Sequence, residues 1–216
     1  SASPADPYRS VFKHHSRPPQ TAKQLPLENW DVEHYDLDVA LHPSSQTVDA
    51  VVTITARAKN PSPRMIRLHA RGPVVSSIKV DGEETTWNES PPNLWVDIPR
   101  DVPVESRVEL EVEFHVPASD DDSILGINWG DPIHTFHEPR GARKWLVLND
   151  DPSDKALLDW HIRVPSELNV IANGIPSAPV EHEDGTTTHH FGFDLPIPTY
   201  LMVLHAGTYA HHVDDG

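Results

Sequence analysis

The chain has 216 residues, enough for one sizeable domain or at most two small ones. Its formal net charge of −16 argues against nucleic acid or an anionic membrane surface as a partner, because phosphates would be repelled. It has no cysteine, which excludes disulfides and thiolate zinc sites, and 22 prolines against 10 glycines with no long helical periodicity, which favours strands joined by Pro-marked turns.

Residues 1–29 show little alternation and carry Pro4, Pro7, Pro18, Pro19 and Pro26. They read as an extended arm, laid on the domain through Tyr8, Phe12 and Trp30. The pair His14-His15 in this arm is more simply a solvated segment than a metal site. Ser1–Pro7 has no basic start or apolar core, so it is no signal peptide. It is compatible with the start of a processed secreted or periplasmic protein, and the compartment stays open. No apolar run approaches the roughly 18 residues of a membrane span, so a soluble chain is expected.

Residues 30–216 read as one β domain. Tyr35, Leu37, Val39 and Leu41 alternate with His34, Asp36, Asp38 and Ala40, and Val48–Ala58 continues the alternation after a hairpin loop. Short strands are expected at Met65–His69, Val74–Val80 and Leu94–Ile98. Arg107–Val116 alternates most clearly, with Val108, Leu110, Val112, Phe114 and Val116 on one face and Glu109, Glu111 and Glu113 opposite. Same-face neighbours on a strand stand about 6.6 Å apart, too far to chelate a small ion unaided, so these glutamates read as a solvated face. Asp120-Asp121-Asp122 is an acidic loop tip without the glycine and distal glutamate of a calcium loop.

The next stretch, Thr135–Ala156, is unlike its surroundings. It reads TFHEPRGARKWLVLNDDPSDKA. Pro139 and Gly141 bend the chain before the apolar run Trp145–Leu148, and Asn149-Asp150-Asp151-Pro152 bends it after. Two bends around four apolar residues imply a short buried central strand. On a continuous strand His134 and His137 would face opposite ways, which weakens any metal site shared with Glu138. Pro139 cannot donate to a ladder, so Glu138 is expected at a strand end on an exposed rim.

Beyond it, Leu158, Trp160, Ile162 and Val164 alternate with Asp159, His161 and Arg163. Val170–Ala172 is a short strand, and Thr186–Phe193 and Thr199–His205 are expected to close the fold. Nowhere in the chain is there an H-E-x-x-H helix motif, a G-x-S-x-G elbow or a Gly-rich phosphate loop.

The central stretch resembles the N-terminal, non-catalytic domain of the M1 zinc aminopeptidases. The family pattern is roughly T-Q-x-E-x-x-G-A-R-R-x-F-P-C-F-D-E-P-x-x-K-A. Thr135, Glu138, Gly141, Ala142, Arg143, Asp150, Pro152, Lys155 and Ala156 match it without a gap. Phe136 stands where the family has Gln, and Leu146–Asn149 replaces F-P-C-F. A second block, P-x-S-T-Y-L followed by G-D-F, resembles Pro196–Leu201 and Gly207–Tyr209.

The resemblance implies an all-β fold, a saddle-like antiparallel β-sandwich. It also implies docking on a catalytic metallopeptidase domain absent from this chain, with zinc in that domain and none here. The chain alone is then expected to be inactive, with peptide bound only through the full enzyme. In the family a residue at the place of Glu138 reaches the free amino terminus of the substrate, beside the place of Phe136. Pairing of Glu138 with Arg140 or Arg143 is the alternative. Arg143, Asp150, Pro152, Lys155, Thr199 and Tyr200 are expected to be structural, with Arg143 and Asp150 as an ion pair and Thr199-Tyr200 as a strand-packing block. The rival reading is a free-standing β-sandwich binding or scaffold module without peptidase activity.

Overall fold

Alternation of apolar and polar side chains organises most of the computed structural model, which describes residues 29–209. The expected arm therefore lies almost wholly outside the described residues, as does His14-His15. The strands are β1 (Trp30–His42), β2 (Thr47–Ala58), β3 (Met65–His69), β4 (Val74–Val80), β5 (Glu83–Glu84), β6 (Trp87–Ser90), β7 (Asn93–Asp97) and β8 (Arg107–Val116). There follow β9 (Gly126–Asn128), β10 (Ile133–Phe136), β11 (Lys155–Pro165), β12 (Asn169–Ala172), β13 (Ile175–Pro176), β14 (Val180–Glu181), β15 (Thr186–Pro198) and β16 (Leu204–Gly207).

A nine-stranded sheet runs β13-β15-β11-β1-β2-β8-β4-β5, with β14 also on β15. It is antiparallel except where β1 meets β11, with Leu37 opposite Trp160. A parallel pair needs a long crossover. Here β3, β6, β7, β9 and β10 lie within it, in two smaller sheets ordered β3-β7-β6 and β12-β16-β10-β9. The sandwich is thus one large sheet covered by two small ones.

The inner face of the large sheet carries Val32, Tyr35, Leu37 and Val39 of β1, Val52 and Ile54 of β2, Leu110 and Val112 of β8, and Trp160 and Ile162 of β11, all buried. The outer face of β8 keeps Glu109, Glu111 and Glu113 exposed, with Glu111 accepting from Lys79 at 2.6 Å.

Trp145–Leu148 is fully buried but is not a strand. A 3-10 turn at Ala142–Lys144 leads into it, with Trp145 and Leu146 both donating to the Ala142 carbonyl, and only Leu148 bridges to a neighbour, His69. Those turn bonds divert the backbone amides that a ladder would need. The run passes under the large sheet, with Trp145 stacked on Trp160 at a ring separation of 6.2 Å. Thr199–Leu201 is likewise a 3-10 turn, closed by Met202 N–H on the Thr199 carbonyl, so the closing strand starts only at Leu204. β15 instead runs past Phe193 to Pro198.

Replacing Trp145 with Ala would empty the space beneath Trp160. Urea unfolding should report a loss of about 3–5 kcal/mol with an unchanged slope. Trp145→Phe should cost clearly less.

Candidate functional site

The site starts at the end of β10. Thr135 is buried, and its hydroxyl takes the Leu204 N–H at 3.0 Å, which fastens β10 to β16. His137 is also buried, and its Nε2 accepts the Trp145 indole N–H at 2.7 Å. The ring proton therefore sits on Nδ1, near the backbone of Thr199 and Met202. Burial pushes the His137 pKa down to about 4. The chain then reverses, and Gly141 N–H closes on the His137 carbonyl at 2.6 Å. A Cβ at Gly141 would lie 2.7 Å from the Phe136 carbonyl oxygen and 2.9 Å from His137 Cα, so the reversal requires glycine.

Between these buried anchors Glu138 is exposed, just past the strand end, and Phe136 is 42% exposed on β10. Glu138 forms no ion pair with Arg140 or Arg143 among the described residues; Arg143 is committed elsewhere. His134 and His137 do not meet. His134 is on β10 and stacks on His205 with ring centroids 6.0 Å apart, while His137 lies beyond the strand and inside the core.

Asp150 holds the second half of the site. Its carboxylate has no exposed side-chain surface. Arg143 Nε donates to Oδ2 at 2.7 Å, and Thr199 Oγ1 donates to Oδ1 at 2.7 Å. Arg143 Nη2 also donates to the Asp150 carbonyl, and the Asp150 N–H donates to His69 Nδ1 at 3.0 Å. Next to it, Asn149 N–H donates to the Tyr35 hydroxyl at 2.9 Å, and Asn149 Nδ2 donates to Asp154. Asp151 receives both the amide and the hydroxyl of Ser153, which shapes the turn at half-buried Pro152. Lys155 is exposed, and Tyr200 is half-buried in its 3-10 turn. The expectation that Thr199-Tyr200 pairs as a strand is therefore corrected: Thr199 acts through its side chain.

Tyr35, His69, Asn149 and Asp154 belong to this network and were not singled out from sequence. Burial, with Arg143 nearby, lowers the His69 pKa to about 4, and burial raises that of Asp154 to about 6.

The model of the peptidase M1 N-terminal domain matches residues 31–201. The chain belongs to that family. Leucine aminopeptidase 2 of Aspergillus fumigatus is 27% identical over 62% of this chain and 24% of its own length. The Aspergillus niger protein of the same name is 25% identical over 92% of this chain and 34% of its own. A crystal structure of an M1 zinc metallopeptidase from Deinococcus radiodurans superposes with a TM-score of 0.77 at 28% identity, over 85% of this chain and 43% of that one. The chain thus spans between a quarter and a half of the length of these relatives.

The structural neighbour is a zinc metallopeptidase. The residues of this chain do not fit a catalytic zinc centre. H-E-x-x-H is missing from the sequence, and among the described residues no group of three or more His, Cys, Asp or Glu is arranged to hold an ion. Nor is any helix among the described residues long and apolar enough to cross a membrane.

Two outcomes follow from the buried charges. Asp150→Ala should cost about 3–5 kcal/mol in urea unfolding, because it strands the Arg143 guanidinium, itself 13% exposed. Acid should act through the histidines. An unfolded His137 or His69 takes up a proton near pH 6.5, while the folded one waits until about pH 4. Their contribution to stability is intact above pH 6.5 and is lost as the pH falls toward 4. Asp154 acts oppositely, since the folded carboxyl already takes its proton near pH 6. Between pH 7 and 4.5 the melting temperature should fall, less steeply in His137→Gln and more steeply in Asp154→Asn.

Proposed function

We propose that this chain is the non-catalytic part of an M1-type zinc aminopeptidase, docked on a metallopeptidase domain that supplies the zinc and the hydrolytic groups. In this reading the end of β10 forms one wall of the joint active site. Glu138 accepts a charge-assisted hydrogen bond from the free ammonium of a peptide substrate, and Phe136 lines the space beside it. A carboxylate offers acceptors only, and in a desolvated pocket it suits an ammonium, which has only donors.

The observation that carries the proposal is the setting of Glu138. It is exposed on a reversal fixed by buried His137 and by Gly141, and it has no ion-pair partner among the described residues. Further support comes from the outer face of the small sheet. Phe136 of β10 and Ile171 of β12 are exposed there, at 42% and 56%, beside the stacked rings of His134 and His205. Exposed apolar side chains on the sheet that ends at this carboxylate suit a partner better than solvent. No observation favours a free-standing module.

Glu138→Gln in the full-length enzyme is the test. A charge-assisted hydrogen bond lost from a desolvated site should lower kcat/KM for an aminoacyl substrate roughly 10- to 100-fold. The melting temperature of the domain should not change. A large drop in melting temperature with unaltered kinetics would make Glu138 a structural residue and overturn the assignment.

A further inference from the structure

The far side of the large sheet carries a second constellation of side chains, remote in the fold from Glu138. His161 of β11 and His190 of β15 are directly paired across the ladder. Their Nδ1 atoms are 2.6 Å apart, with the rings edge-on at 78°. On the other side of β11, His161 Nε2 lies 2.9 Å from Asp36 Oδ1 on β1. An ionised carboxylate only accepts, so Nε2 carries the proton and His161 Nδ1 presents a lone pair toward His190. A carboxylate holding the remote nitrogen of an imidazole, with the near nitrogen left as a donor, is the arrangement that orients histidine ligands in metal sites.

We propose that His161 and His190 form a two-histidine site for a borderline divalent transition-metal ion of the Zn2+, Ni2+ or Cu2+ class, with Asp36 as the positioning residue. Imidazole selects these ions over Mg2+ or Ca2+. Two metal–nitrogen bonds of about 2.0–2.1 Å at a tetrahedral angle need roughly 3.3 Å between the nitrogens. The present separation reaches that by small ring rotations. In the metal-free pair His190 Nδ1–H donates to His161 Nδ1. On binding, His190 releases that proton to solvent and takes one on Nε2, so both rings stay neutral and each gives one lone pair to the ion. Water completes the coordination, since no third donor joins the pair among the described residues. The site opens on a shallow depression of about 640 Å³ that also touches Asp159, Ser177 and Asp194, so a hydrated ion can reach it. A bound ion would cross-link β15, which carries β13 and β14, to β11.

The test is a Zn2+ titration of the full 216-residue chain labelled with 15N-histidine. The Nδ1 signals of His161 and His190 should shift together and saturate at one equivalent for this pair. His161→Gln and His190→Gln, checked for folding by circular dichroism, should each weaken binding at this site at least tenfold. Asp36→Asn should weaken it less while leaving both ligands in place. Zn2+ should also raise the melting temperature of the wild type and not of either histidine variant. If both Nδ1 signals stay in place while other histidines bind the ion, the proposal is wrong. It is also wrong if the histidine variants bind Zn2+ with unchanged stoichiometry and affinity.

Discussion

A carboxylate with no solvent access fixes the architecture of this domain at one point. Asp150 is taken out of water, and a charge in that position is tolerable only when paired and fully hydrogen-bonded. Its partners come from three directions: Arg143 from the 3-10 turn after β10, Thr199 from the turn before β16, and His69 from the end of β3, the last through the Asp150 amide. Each of the two small sheets is thereby tied to the segment that runs beneath the large one. Removing any one partner leaves a buried polar atom unsatisfied, so the three sheets cannot shift independently at this junction.

The same junction determines what is left over at the rim. Of the two cations nearest Glu138 in sequence, Arg140 and Arg143, the second is consumed by Asp150, and neither pairs with Glu138 among the described residues. His137, adjacent to Glu138, is held neutral by burial and by the Trp145 indole. Glu138 thus keeps a carboxylate without an ion pair among the described residues. Phe136 fits the same logic. In a position whose neighbours Thr135 and His137 are buried, alternation turns it outward.

Alternation made the long strands legible. In β8 and β11 every second residue is apolar, a pattern that a helix would scatter and that one buried face demands. It failed where the period vanished. Trp145–Leu148 is apolar at every position, so its burial could be read but not its conformation, and turn bonds to Ala142 decided against a strand. Thr199-Tyr200 misled for the opposite reason, because a β-branched residue and an aromatic favour strands while a side-chain bond to Asp150 holds the turn. His69 and His137 left no local mark. One histidine among the 15 of this chain does not reveal that it is a buried, neutral acceptor until the donor from elsewhere in the chain is in place.

The surplus of acid also acquires a structural meaning. With 33 carboxylates against 17 lysines and arginines, cations cannot answer every acidic side chain on the outer face of the large sheet. Some do: Arg57 reaches Asp31, Glu33 and Glu105, and Arg163 reaches Asp184. Elsewhere histidine stands in, with His34 on Asp159, His161 on Asp36, and both His42 and His115 on Asp49. Exposed pairs of this kind add little to stability. Their effect is on the character of the surface. The imidazole–carboxylate pairs keep this face hydrated around its scattered exposed apolar residues, Val74 and Ile175 among them. The small sheet presents Phe136 and Ile171 beside the stacked rings of His134 and His205, with Glu138 just past the end of β10. The two outer faces thus differ in what they leave unanswered: the first pairs many of its carboxylates, while the second ends at Phe136 and a Glu138 without an ion pair among the described residues.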